Sequence, residues 1–107
     1  MKLDLELSML FDLYSGLLTE KQKNVLDMYI NLDYSLSEIA ENTGATRQAA
    51  MDTVKRGEQR LRELENCLGL YEKYKRTMRA LDEIDSAVSR EEIKSATERI
   101  RIIWEES

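Results

Sequence analysis

The segment from Ser35 to Gly57 constrains this chain most strongly, because it has the pattern of two helices joined by a short turn. Ser35 and Glu38 are spaced as a capping box, in which each side chain bonds the other residue's free backbone amide. Gly44 supplies the left-handed backbone conformation that a helix end often needs. Thr46 can then cap a second helix. The segment therefore predicts a helix-turn-helix.

Helical spacing separates an inward and an outward face of the second helix. Ala50 and Val54 are four residues apart, and we expect this face to pack on Ile39 and Ala40 of the first helix. The opposite face is then exposed, where a recognition helix contacts nucleic acid. Its expected members are Thr46, Arg47, Gln48, Met51, Asp52 and Lys55.

The chemistry of this outward face is mixed. The Arg47 guanidinium can donate to a guanine or a phosphate, and the Gln48 amide can read an adenine. Asp52 opposes binding, because its carboxylate would approach phosphates with like charge, and Met51 carries no donor. The face therefore leaves open whether the helix-turn-helix binds nucleic acid or serves as a scaffold for a protein partner.

The charge of the chain is uneven. The net charge is −5, from 16 basic and 21 acidic residues among 107, and this disfavours unspecific binding to nucleic acid. Residues 46–62 nevertheless hold five bases against two acids. The five bases are Arg47, Lys55, Arg56, Arg60 and Arg62. We expect phosphate contacts from these five, with Thr46 and Gln48 adjusting the register.

The second helix is predicted to run from Arg47 to Leu68 and to end at Gly69. Its apolar and small residues step by four and three, which is the spacing of a heptad seam. They are Ala50, Val54, Gly57, Leu61, Leu64 and Leu68. The small Gly57 permits close approach of a partner helix. That partner is the N-terminal helix, the C-terminal segment or a second subunit.

Two further helices are predicted before the helix-turn-helix. Met1 to Leu18 reads as an amphipathic helix, which packs across the helix-turn-helix or forms a dimer face. Its apolar face comprises Leu3, Leu7, Leu10, Phe11, Tyr14 and Leu18. Thr19 and Gln22 form a second capping box, and the helix that they begin carries Val25, Leu26, Tyr29 and Ile30 on one face. The three helices together suit the core of a DNA-binding module.

Several of these stretches resemble known proteins. The run Leu18–Gln22, the run Tyr34–Glu41 and the run Thr46–Ala49 resemble region 4 of bacterial sigma factors. Leu10–Tyr14 shortly before the capping box at Thr19, and Arg47-Gln48-Ala49 leading through Asp52 to Lys55-Arg56, resemble the YlxM family. The resemblance is clearest from Leu10 to about Leu68.

The resemblance to the YlxM family implies a fold and a set of partners. It implies a small all-α protein with a domain like sigma region 4. It also implies a link to the signal recognition particle, through the particle's RNA and its GTPase. Direct regulation at DNA is a further proposal for that family.

The segment after Gly69 predicts a C-terminal helical hairpin. Its first helix carries four bases, which form either a solvated face or a second nucleic-acid contact beside Tyr71 and Tyr74. They are Lys73, Lys75, Arg76 and Arg79. Ser89 and Glu92 form a third capping box, which begins the second helix. Trp104, near the end of this helix, is expected to be a core or interface anchor. We expect two parts, 1–69 and 70–107, in one compact unit, with the hairpin packed either in its own subunit or across a dimer.

The chain lacks the residue types that most catalytic and metal sites need. It has no histidine, a single cysteine and no glycine-rich phosphate loop. We therefore expect no enzyme activity, no metal and no cofactor. We expect Cys67 to be buried or half-buried. A lone cysteine, no visible signal peptide and no run of membrane-spanning length favour a cytoplasmic protein.

Three functions fit the sequence. The first is a non-enzymatic regulator in the signal recognition particle pathway, which binds the particle's RNA, its GTPase or both. The second is a purely protein-binding helical module, for example a homodimer through the heptad seam or the N-terminal face. The third is a DNA-binding transcriptional regulator, which would prefer duplex DNA with paired half-sites.

Overall fold

The computed structural model describes residues 4–106, and this part of the chain contains six α-helices and no strand. The prediction of an all-α helix-turn-helix protein with a long fourth helix and a C-terminal hairpin is confirmed. The helices are α1 (Leu5–Tyr14), α2 (Glu20–Ile30), α3 (Leu36–Thr43), α4 (Arg47–Leu68), α5 (Leu70–Ser86) and α6 (Arg90–Glu105).

The N-terminal helix is shorter than the sequence predicted. It begins after Asp4, whose carboxylate accepts a hydrogen bond from the Leu7 amide at 3.0 Å. It ends at Tyr14, and residues Ser15–Leu17 form a single 3₁₀ turn. The expected start at Met1 and the expected contact of Leu3 lie outside the described residues.

Side-chain caps begin five of the described helices, and the sequence predicted four of these caps, at Thr19, Ser35, Thr46 and Ser89. The boxes at Thr19 and Ser35 are complete, with each partner side chain bonding the cap amide. At Ser89 only half of the box forms. The Ser89 hydroxyl accepts from the Glu92 amide at 3.2 Å, but the Glu92 carboxylate accepts from the Val88 amide at 2.9 Å instead.

Residues up to Leu68 form one compact unit and residues from Gly69 form a second. In the first unit, α1, α2 and α3 all pack against α4. The heptad seam of α4 is buried from Ala50 to Leu64, whereas Leu68 is 46% exposed. The N-terminal helices are therefore partners of the seam.

Gly57 of α4 faces Leu26 of α2 where the two helices pack. It is buried, and a Cβ atom placed on it would be 2.6 Å from Cδ1 of Leu26. Leu26 is itself fully buried. The expectation that Gly57 permits close approach of a helix is confirmed.

The second unit is the hairpin of α5 and α6, which pack against each other. Its buried residues are Ala80, Ala96 and Ile103. The Trp104 indole N–H donates to the Thr77 hydroxyl at 2.9 Å, which links the last turn of α6 to α5. Trp104 is nevertheless 48% exposed, so much of its ring remains in solvent.

The expectation for Cys67 was wrong, because its side chain is exposed. Cys67 follows Leu64 by three positions, so it lies near the same face of α4. A residue on this face is buried only where a neighbouring helix covers it. The exposure of Leu68 one residue later shows that this cover has ended.

Candidate nucleic-acid interface

A tight turn fixes the geometry of the helix-turn-helix. Gly44 ends α3 with φ +71°, a left-handed conformation that suits glycine. The Ala45 amide bonds the Ala40 carbonyl at 3.0 Å, which closes the end of α3. The Thr46 hydroxyl then accepts from the Ala49 amide at 3.0 Å and caps α4. These local bonds set the start of α4 relative to α3.

Packing decides which side of α4 is outward. Ile39 and Ala40 of α3 are buried, as are Ala50 and Val54 of α4, where the two helices meet. Residues on the opposite side of α4 are therefore exposed along its first half. The exposed residues are Arg47, Gln48, Asp52, Lys55 and Arg56, and Thr46 at the cap is also exposed.

Three of the five predicted bases on α4 are exposed and unneutralised. Arg47, Lys55 and Arg56 form no ion pair with an acid within residues 4–106. Arg47 and Lys55 are separated by about 12 Å along the axis at the α-helical rise. The positive end of the helix dipole at Arg47 adds to the same potential. This part of α4 is thus an electropositive strip on an acidic protein.

The other two bases lie in ion pairs. Arg62 contacts both acids at the start of α1, with its guanidinium 3.7 Å from Asp4 and 3.4 Å from Glu6. Arg60 lies 3.8 Å from Glu63 on its own helix. The structure therefore places Arg62 in the attachment of α1 to α4, and it separates Arg60 and Arg62 from the unneutralised strip.

Gln48 and Asp52 are coupled on the outward face. The Gln48 amide donates to the Asp52 carboxylate at 3.3 Å. Asp52 thereby holds the Gln48 side chain along the helix surface. It also places a negative charge one helical turn before Arg56, which limits how closely a phosphate can approach there.

A second contact between α1 and α4 was not anticipated from the sequence. The Tyr14 hydroxyl donates to the Glu65 carboxylate at 2.7 Å. Tyr14 is 1% exposed, and Glu65 is half-buried. In the sequence, Tyr14 belongs to the apolar face of the N-terminal helix. No pattern over a few residues connects it to an acid 51 positions later.

Burial changes the acidity of Glu58, a half-buried acid of α4. Desolvation raises the pKa of Glu58 above its ordinary value, the Arg62 guanidinium lowers it and the Asp4 carboxylate raises it further. At the other helix start, the backbone and hydroxyl hydrogen bonds from Ser35 lower the pKa of Glu38. The capping box of α3 therefore favours the ionised form of Glu38.

Three of the four predicted bases of the hairpin contact groups within it. The Lys73 ammonium lies 5.6 Å from the centroid of the Trp104 ring. Lys75 lies 3.2 Å from Glu72 and 4.6 Å from the centroid of the Tyr71 ring. Arg79 lies 3.8 Å from Glu72. These contacts favour a structural role for the three.

Arg76 lines a groove between α5 and α6. The groove has a volume of about 430 Å³, and Arg79, Arg99 and Glu83 also line it. Arg99 and Glu83 form an ion pair. The pair lowers the pKa of Glu83 and raises that of Arg99. Arg76 has no acidic partner within residues 4–106, which leaves it as the one predicted hairpin base free for a second contact there.

The described residues hold neither a group of side chains suited to a metal ion nor a helix long and apolar enough to span a membrane.

The chain is similar to known proteins over most of its length. Residues 1–100 match a family model described as "Putative helix-turn-helix protein, YlxM / p13 like", which is the UPF0122 family.

Individual relatives agree with this match. A UPF0122 protein of Symbiobacterium thermophilum is 39% identical over 90 residues, which cover 84% of each chain. One from Clostridium kluyveri is 52% identical over 71 residues, covering 66% of this chain and 64% of the relative. One from Listeria innocua is 36% identical over 102 residues, covering 91% and 93%.

The chain belongs to the UPF0122 family. The resemblance to YlxM that was drawn from the sequence is thereby confirmed. UPF0122 is described as a helix-turn-helix family. In this UPF0122 protein, α3 and α4 are the two helices of the helix-turn-helix.

Proposed function

We propose that this protein is a non-enzymatic nucleic-acid-binding regulator whose contact surface is the start of α4. Arg47, Lys55 and Arg56 supply the phosphate contacts, and Thr46 and Gln48 adjust the register. The observation that carries this proposal is the absence of acidic partners for these three bases within residues 4–106. On a protein with net charge −5, exposed and unneutralised bases within the first ten residues of one helix favour a specific polyanionic partner.

Arg60 and Arg62 take a secondary place in the proposal. Their ion pairs with Glu63, Asp4 and Glu6 must weaken before either base can bind a phosphate. Breaking exposed pairs of this kind costs about 0.2–1 kcal/mol each. Arg60 and Arg62 can therefore extend the contact along α4, but each adds less to the binding affinity than an unneutralised base does.

The favoured nucleic acid is the RNA of the signal recognition particle. This choice rests on the resemblance to the YlxM family and on the match to the YlxM / p13 model. In the same proposal the particle's GTPase is a protein partner, and the protein acts by changing how the particle's components engage. The bases of the hairpin, Arg76 foremost, offer a second contact to the same RNA.

Two other functions remain as alternatives. A helix-turn-helix with an exposed recognition helix also suits a DNA-binding transcriptional regulator. A purely protein-binding module, including a homodimer, is supported by the net charge of −5 and by the Asp52 carboxylate that holds Gln48 on the outward face.

Fluorescence titration against three labelled ligands tests the proposal. The ligands are the particle RNA, a random RNA of equal length and a random duplex DNA, each at about 50 and 200 mM salt. Tighter, salt-sensitive binding to the particle RNA supports the proposed partner. Equal affinity for all three ligands would contradict the choice of partner, and preference for duplex would favour the transcriptional regulator. No binding to any of them would contradict a nucleic-acid function.

A further inference from the structure

The hairpin of α5 and α6 has two chemically different sides. One side is the groove lined by charged residues, including Arg76, Arg79, Glu83 and Arg99, with Ile102 at its edge. The other side, which we call the apolar side, carries large side chains at helical spacing. It comprises Tyr74, Met78 and Leu81 of α5 and Ile93 and Trp104 of α6.

The apolar side is not a core. Each of these five side chains is at least 40% exposed. The residues of the hairpin that are buried are two alanines and one isoleucine, namely Ala80, Ala96 and Ile103. A compact unit of fewer than about 40 residues usually needs a disulfide, a metal or association to be stable. Residues 69–107 contain no cysteine, and the described residues hold no group suited to a metal ion. Association, with the rest of the chain or with another molecule, is the remaining route.

The distribution of charge along the hairpin indicates which partner covers the apolar side. Residues 69–80 hold four bases and one acid, whereas residues 81–92 hold five acids and one base. The start of α5 is thus positive, and the tip of the hairpin, where α5 turns into α6, is negative. A second copy placed in the opposite direction would set each positive half against a negative half.

We propose that the apolar side is the interface between two copies of this chain, which associate through antiparallel hairpins into a four-helix bundle. This is the arrangement by which pairs of helices bury a shared apolar face. It is isologous, since the same patch is used by both copies. Other partners could cover an apolar face, but the opposite charges of the two halves match a second copy without any further assumption.

The charges at the edge of the apolar side fix the expected register. Lys75 and Asp82 are seven residues apart, so they lie on the same face of α5. Met78 lies between them in sequence and next to that face. A two-fold axis near Met78 sets Lys75 of one copy against Asp82 of the other. Lys75 already lies 3.2 Å from Glu72 in its own helix, and its ammonium has further donors for a second carboxylate.

Analytical ultracentrifugation of the full chain over a range of concentrations tests the interface. We expect a concentration-dependent dimer, weakened by about tenfold or more when a hot-spot side chain is replaced, as in Leu81→Asp. Ile102→Asp is the matched control, because Ile102 is equally exposed at 40% but lies on the groove side. Met78→Asp serves as a second interface variant in case Leu81→Asp loses helicity by circular dichroism.

A charge exchange distinguishes the proposed antiparallel pairing from simple stickiness. Lys75→Glu alone and Asp82→Lys alone should each weaken the dimer, because like charges then face each other. The double variant should restore it, since the pair is re-formed with reversed sign. A monomer at every concentration would overturn the proposal. So would a dimer that Leu81→Asp and Met78→Asp leave unchanged, or one that Ile102→Asp weakens equally.

Discussion

Leu26 packs directly on the backbone of Gly57, where α2 crosses α4. The contact leaves no room for a methyl group, because a Cβ on Gly57 would lie 2.6 Å from Cδ1 and 3.0 Å from Cγ of Leu26. Leu26 is fully buried and has little freedom to move away. This contact sets the distance between α2 and α4, on which the three-helix core depends.

Gly57→Ala should therefore destabilise the fold. Alanine gains about 1 kcal/mol over glycine inside a helix, but overpacking a core costs about 1–3 kcal/mol. We expect a net loss of up to about 2 kcal/mol in the free energy of unfolding by urea. Gly16→Ala is the control, because nothing lies within 4 Å of a Cβ there. A Gly57→Ala variant as stable as the Gly16→Ala variant would show that Leu26 is not the constraint.

Tyr14→Phe should loosen the attachment of α1 to α4. It removes the hydrogen bond of 2.7 Å to the Glu65 carboxylate, and a bond to a charged group contributes about 1.5–3 kcal/mol. Because Glu65 is only half-buried, we expect the lower end of that range, measured by urea unfolding. Tyr29→Phe is the control, since the Tyr29 hydroxyl has no hydrogen bond within residues 4–106. Equal losses in both variants would argue against the Tyr14 bond.

Removing the charge of Arg62 and removing that of Lys55 should have different effects on stability and on nucleic-acid binding. Arg62→Gln breaks two exposed ion pairs to α1, so it should lower stability by less than about 1 kcal/mol. Its effect on nucleic-acid affinity should be small. Lys55→Gln should leave stability unchanged and reduce the slope of log K against log salt by about 0.7–0.9, as expected for one lost phosphate contact. The reverse pattern would place the contact surface at Arg62 instead.

Glu58→Gln should stabilise the protein at neutral pH. Burial raises the pKa of Glu58, so the folded state binds a proton more tightly than the unfolded chain does. The resulting stability is fully present below the pKa of Glu58 in the unfolded chain and is lost as the pH rises through its higher pKa in the folded state. Glutamine mimics the protonated acid, so thermal unfolding should favour the variant at pH near 7 and show no difference near pH 4.

Glu41→Gln provides the control for Glu58. Glu41 is exposed on α3, and its replacement should change the free energy of unfolding by no more than about 0.5 kcal/mol. A Glu58→Gln variant less stable than the parent at neutral pH would mean that attraction between Glu58 and Arg62 outweighs desolvation.

The local parts of the fold were predictable from the sequence. Capping boxes at Thr19 and Ser35 and the glycine turn at Gly44 act over a few residues, so their residue types reveal them. The seam of α4 was predictable for the same reason, since helical spacing fixes its face. The seam did not reveal its partners, because an apolar face fits any other apolar face of suitable shape.

The long-range polar contacts were not predictable from the sequence. Arg62 was grouped with the phosphate-binding bases because it lies close to them in the chain. Its two acidic partners belong to α1, and only the packing of α1 on α4 brings Asp4 and Glu6 to it. The predicted site residues themselves stay a prediction. We rank Arg47, Lys55 and Arg56 first, because these three bases form no ion pair within residues 4–106.

The salt dependence of RNA binding by a Lys55→Glu/Arg56→Glu variant tests the central claim most directly. Lys21→Glu/Lys23→Glu, which alters two exposed bases of α2, is the control and makes the same change in net charge. The proposed interface predicts that the α4 variant loses binding with unchanged helicity, while the α2 variant retains most of the affinity and the salt slope of the parent. Equal losses in the two variants would mean that net charge, and not the face of α4, determines binding. Unchanged binding by the α4 variant would contradict the account.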